Sequence, residues 1–113
     1  MKNFIATILT AAAVSFAAAP AAVALTAEQQ LQCEQYGDRA EFVMLMRLEG
    51  MPKENLIEVA TARYGVEQTD VLDLIDVAYA KFEATDNERE IFFYTNVFIE
   101  MATDYCVSYY ESQ

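Results

Sequence analysis

The sequence predicts an all-α domain: four helices in an antiparallel arrangement, with one disulfide joining the first helix to the last. Three observations carry this. Apolar residues recur at three- and four-residue steps over most of the chain. Helix caps and glycine stops punctuate those runs. No stretch sustains the apolar–polar alternation of a half-buried strand, and no hairpin signal such as Asn-Gly occurs.

Met1 to Ala24 reads as a secretory signal peptide: Lys2 supplies the positive start, Phe4 to Ala19 an uncharged apolar run, and Ala22-Val23-Ala24 a small-x-small cleavage site. Ala17-x-Ala19 is a second site, but Pro20 would follow the scissile bond, so cleavage is expected after Ala24. No Cys follows to carry a lipid. An uncleaved anchor is the alternative, because no charge occurs from Asn3 to Ala27; an Ala-rich run is only weakly hydrophobic, which favours the leader. The expected organisation is therefore a leader over 1–24 and a single α-helical domain over 25–113.

Thr26-Ala27-Glu28-Gln29 is a capping box that opens the first helix. Leu31, Cys33, Tyr36, Ala40, Val43, Met44 and Leu48 then form its apolar stripe, and Gly50 is the stop. Pro52 suits the first turn of a second helix, which carries Leu56, Ile57, Val59 and Ala60 and ends at Gly65. Thr69 is the expected cap of a third, with Leu72, Ile75, Tyr79 and Phe82 on one side. Thr85-Asp86-Asn87-Glu88 reads as another capping box, opening a last helix that runs to about Tyr110. Ile91 to Tyr94 and Val97 to Ile99 favour strands by propensity, yet helix length and the cap outweigh that.

Cys33 and Cys106 remain after the leader. Two cysteines in an exported chain permit one intramolecular pairing, across 73 positions. Short connections favour antiparallel neighbours, so an up-down-up-down course brings the second turn of the first helix to the closing turns of the last. Pairing and helix count agree. The second and third helices are short enough to pack obliquely instead of in a regular bundle.

The composition excludes whole classes of function. The chain has 18 acidic and 7 basic residues, a net charge of −11, and neither His nor Trp. Without Lys2 the balance is 18 acidic against 6 basic, or −12. Such a chain repels nucleic acid and anionic membrane surfaces, and it is attracted to basic partners. Neither a His-based catalytic centre nor a Glu-x-x-His bundle metal site can be built. Asp70-x-x-Asp73-x-x-Asp76 drifts around its helix, while Glu34, Asp38 and Glu41 form a polar ridge. Neither offers the Gly-bearing turn of a calcium loop, and both read as solvated faces. No catalytic residue, cofactor or metal is expected, and the chain is not read as an enzyme.

Two features remain as candidate partner-binding sites. Arg47 shares a face with Cys33, Tyr36, Ala40 and Met44, where a guanidinium needs a carboxylate, a carbonyl or an aromatic face. The expected arrangement is an internal pair with an acid on the third or fourth helix; the alternative is a partner-facing Arg. The last helix carries Phe92, Phe93, Tyr94, Phe98, Tyr105, Tyr109 and Tyr110, seven of the twelve aromatics beyond the leader. Three consecutive aromatics fan over about 200°, so this helix is expected to be embedded centrally; the alternative is that it exposes a binding surface through Phe92, Phe93, Tyr109 and Tyr110.

The constellation Cys33-x-x-Tyr36-x-x-x-Ala40-x-x-x-Met44-x-x-Arg47-x-x-Gly50, with Ala78-Tyr79 and a closing Cys106, resembles small exported proteins of proteobacteria and their phages. It covers the first helix well and the remainder loosely. The resemblance implies a helical domain tied by one disulfide and carries no catalytic residue. In size, export and single disulfide the chain also resembles periplasmic acid-stress chaperones and the periplasmic lysozyme inhibitors that phages use. The expectation is a periplasmic, non-catalytic binding or inhibitory protein acting on a basic envelope protein, with an acid-stress chaperone as the alternative.

Overall fold

The computed structural model describes residues 24–65 and 69–113, so the expected leader, apart from Ala24, lies outside them. Four helices follow one another: α1 (Ala27–Leu48), α2 (Lys53–Tyr64), α3 (Thr69–Lys81) and α4 (Glu88–Glu111). Among the described residues there is no strand. None of these helices is long and apolar enough to cross a membrane.

The helix ends follow local chemistry. Thr26 Oγ1 accepts from the Gln29 backbone N–H, and Gln29 Oε1 accepts from the Thr26 N–H, both at 3.0 Å, so the expected capping box is formed. At the other end of α1, Gly50 adopts a φ of +98°. Its N–H donates to the Arg47 carbonyl while the Met51 N–H reaches the Met46 carbonyl, which satisfies two orphan acceptors in a Schellman turn. Gly65 ends α2 with a φ of +100°. Pro52 is the N-cap of α2, one residue before the first turn.

Two caps depart from expectation. Thr69 is the first residue of α3, and the capping position before it lies outside the described residues. Asn87, not Thr85, caps α4, with its Oδ1 accepting from the N–H groups of Arg89 and Glu90. The reason lies at the end of α1. A capping box at Thr85 would use its N–H locally, but that N–H donates to the Leu48 carbonyl at 2.8 Å. Thr85 is thereby fastened to α1, its hydroxyl accepts from the Asn87 N–H and donates to Glu90, and the helix starts two residues later.

One apolar cluster unites the helices. α1 contributes Ala40, Val43, Met44 and Leu48, α2 Leu56 and Ala60, α3 Val71, Leu74, Ile75 and Ala78, and α4 Phe98 and Ala102. α1 touches all three other helices and meets α4 most extensively. The Cys33–Cys106 disulfide closes that antiparallel seam, with the two Cα atoms 5.5 Å apart. One turn further along, Gly37 is buried against α4; a Cβ there would lie 2.8 Å from Thr103 Oγ1. Leu31 does not belong to the buried stripe and is 52% exposed. It sits two residues from Cys33, about 200° around the helix.

The arrangement alternates in direction but is not a square bundle. α3 packs on α1 and α2, α4 packs on α1, and the backbones of α3 and α4 stay apart. Phe82, the residue after α3, holds them so. Its ring lies 5.6 Å from that of Tyr94 and 5.8 Å from that of Phe98, a wedge at one end of the gap.

The disulfide closes a loop of 73 positions, worth about 4 kcal/mol by chain entropy. Cys33→Ser and Cys106→Ser should therefore lower stability by similar amounts in urea melts; a large inequality would assign one of them a separate role. Gly37→Ala is expected to gain up to about 1 kcal/mol of helix propensity only where Thr103 is also Ala, because the clash consumes it otherwise. Equal effects of Gly37→Ala in the two backgrounds would show that the crossing is not sterically limited there.

Candidate functional site

The last helix is not embedded centrally as expected: α4 packs on α1 alone among the described helices, and its aromatic residues divide between interior and surface. Tyr94 and Phe98 turn inward to Phe82. Phe92 and Phe93 are 73% and 61% exposed near the start of the helix. Tyr109 is exposed near its end, whereas Tyr110 is half-buried and donates its hydroxyl to Gln32 Oε1 on α1. Phe92 and Tyr109 lie about 25 Å apart along the axis, so the four aromatic candidates do not make one patch.

A different set does form a continuous surface. Phe93, Val97, Met101, Tyr105 and Tyr109 recur at every fourth position and build one ridge along α4. Met101 and Tyr105 are 52% and 66% exposed, which bridges the interval between the two expected patches. The four-residue spacing was present in the sequence; the stronger visual cluster at Phe92 and Phe93 obscured it.

The middle of this ridge borders the gap between α3 and α4. Tyr36 of α1, Phe98 and Ala102 of α4 and Leu74 of α3 line it, with Asp73 and Val77 opposite Met101 and Tyr105. The gap continues into a cleft of about 630 Å³ beside the disulfide, where Arg39, Asp70, Asp73, Tyr105 and Tyr109 meet. Tyr36, expected only as part of the buried stripe, stands in both compartments. Burial pushes its hydroxyl pKa up to about 12, and the nearby Asp70, Tyr105 and Asp73 act in the same direction.

The three aspartates of α3 have different surroundings. Asp70 accepts from Arg39 Nη1 at 3.4 Å, and Asp76 pairs with Lys53 Nζ at 2.9 Å. Asp73, between them, lines the groove and has no cation within 4.0 Å among the described residues. Their 60° drift per step, read in sequence as a solvated face, gives each one different surroundings.

Arg47 is held inside the fold, and not by the carboxylate expected. Its Nε donates to the Phe82 carbonyl at 2.7 Å, and its guanidinium lies 4.5 Å from the centroid of the Tyr79 ring. The Tyr79 hydroxyl in turn donates to the Met51 carbonyl. The carbonyl is available because α3 ends at Lys81, leaving Phe82 O beyond the helix's own ladder. Burial raises the Tyr79 pKa, and Arg47 opposes that shift. Arg47 therefore clamps the end of α1 to the end of α3 and stands apart from the α4 ridge.

Two other arginines use aromatic faces in the same way. Arg39 lies 5.0 Å from the Tyr64 centroid and Arg63 4.6 Å from that of Phe42. With this geometry in hand, comparison with known protein families, curated proteins and solved structures gives no match to the chain.

Tyr36 gives a pH signature of the groove. Its folded pKa, about 12, lies above the ordinary 10.0, so the folded state holds the proton more tightly. The associated stability is complete below pH 10 and is lost as pH rises towards 12. Thermal melts of the Tyr36→Phe protein should accordingly fall less steeply over that interval than those of the parent. Parallel curves would place the Tyr36 hydroxyl in solvent.

Proposed function

We propose that this chain is an exported, non-catalytic binding or inhibitory protein of the periplasm, acting on a basic envelope protein such as a muralytic enzyme or toxin. The single observation that carries this is the α4 ridge. Its exposed Phe93, Met101, Tyr105 and Tyr109 offer the kind of aromatic and Met surface on which interface energy concentrates. Glu100, Asp104 and Glu111 lie on the same helix, and no Lys or Arg follows Arg89 in the chain. Such a surface repels acidic proteins and steers basic ones.

Export is supported by the leader-like Met1 to Ala24 and by the disulfide, which persists in oxidising compartments. Cleavage after Ala24 belongs to the same proposal. The chaperone alternative requires native ion pairs whose loss in acid opens the fold. Among the described residues the ion pairs are Arg39–Asp70, which is partly buried, and Lys53–Asp76, which is exposed and worth at most about 1 kcal/mol. The disulfide does not titrate. These observations favour a binding protein that keeps its fold in acid.

Two measurements test the proposal on the exported, disulfide-bonded protein. Immobilised protein should capture a basic protein from periplasmic extract at low salt, and the triple variant Glu100→Gln, Asp104→Gln, Glu111→Gln should capture at least about ten-fold less. Near-ultraviolet circular dichroism should be retained at pH 3. Equal capture by parent and variant would overturn the proposed surface, and loss of tertiary signal at pH 3 with gain of client binding would establish the chaperone instead.

A further inference from the structure

We infer that the groove between α3 and α4 receives an arginine side chain from a basic polypeptide, its guanidinium stacked on Tyr105 and paired with Asp73. The inference deepens the proposed function and rests on it for the identity of the partner, but not for the chemistry of the groove.

Charge supplies the first argument. Of the three α3 aspartates, Asp70 and Asp76 are matched by Arg39 and Lys53, and Asp73 is matched by no cation among the described residues. Asp73 is also the one that borders both compartments of the groove. From Glu90 to Gln113 the chain contains no cation, and Arg89 lies about four turns away, so α4 supplies none to Tyr105 or Tyr109. Arg39 also lines the cleft but is engaged by Asp70, so an anionic ligand would still meet Asp70, Asp73 and the Tyr36 hydroxyl, whose ionisation is already opposed by those carboxylates.

The walls supply the second. Tyr36, Tyr105 and Tyr109 line the cleft, and Tyr105 and Tyr109 are exposed. Among the described residues no cation lies over these rings, unlike those of Tyr64, Tyr79 and Phe42. Arg39, Arg47 and Arg63 each sit over an aromatic ring, 4.5–5.0 Å from the nearest centroid. A planar guanidinium can stack on Tyr105 while offering its edge to Asp73, which a compact ammonium cannot do. The apolar compartment bordered by Leu74, Val77 and Met101 suits the methylene stem of the same side chain.

The test uses the exported, oxidised protein and the capped peptide Arg-Gly-Arg-Gly-Arg, with Lys and Gln counterparts, followed by amide NMR. Shifts should centre on Tyr36, Asp73, Met101 and Tyr105, and the Arg peptide should bind about five-fold or more tightly than the Lys peptide. Asp73→Asn and Tyr105→Leu should each weaken binding about five-fold or more, whereas Tyr105→Phe and the remote Asp86→Asn should change it less than about two-fold. Both groove positions are exposed, and melting curves of each variant report whether the fold is intact. Shifts spread over all acidic faces, equal effects of Asp73→Asn and Asp86→Asn, equal binding of Arg and Lys peptides, or no binding would each overturn the assignment. Peptide binding at the groove without capture of a basic envelope protein would leave the groove standing and remove the proposed function; capture without peptide binding would do the reverse.

Discussion

The bond between Cys33 and Cys106 fixes the second turn of α1 against the closing turns of α4, and the other helices take their places around that seam. Gly37 lets the two backbones approach one turn later, and the Thr85 N–H fastens the chain entering α4 to the Leu48 carbonyl at the far end. The two longest helices are therefore held along most of their length. For a chain this small, whose apolar core is limited by its surface-to-volume ratio, that covalent closure removes much of the freedom of the unfolded state.

A consequence of the seam is the open side of the molecule. α1 engages α4 on one side and α3 on another, so α3 and α4 are brought near each other without being packed together. Phe82 fills the gap at one end, wedged against Tyr94 and Phe98, and Arg47 anchors the same corner through the Phe82 carbonyl. Towards the disulfide no comparable side chain among the described residues closes the space, which Tyr36 lines. The groove is thus a product of unequal packing around a shared central helix.

Charge is partitioned along the same lines. Arg39, Arg47 and Arg63 are drawn onto aromatic rings and Lys53 onto Asp76, which consolidates α1, α2 and α3. α4 keeps its carboxylates and its aromatic ridge without any cation after Arg89. Guanidinium–aromatic contact is thus made within the molecule by α1, α2 and α3, and the proposed groove would use the same chemistry towards a partner.

Local signals in the sequence determined much of this: the Thr26 capping box, the glycine stops at Gly50 and Gly65, the four helices and the single disulfide pairing all follow from short-range rules. Those rules concern hydrogen bonds and torsions within a few residues, or a choice with one solution, so no tertiary information is needed. The ridge from Phe93 to Tyr109 was legible too, through its four-residue spacing, although exposure alone distinguishes it from a core face. What only the tertiary structure decided were matters of which group meets which. Thr85 lost its capping role because the Leu48 carbonyl reached its N–H first. Arg47 found a carbonyl and a ring where an acid was expected. Asp73 was told apart from Asp70 and Asp76 by the cations that stand opposite those two on neighbouring helices. Periodicity specifies a face, but the partner of a side chain depends on the azimuth and height of another helix, and those are set by packing across distant parts of the chain.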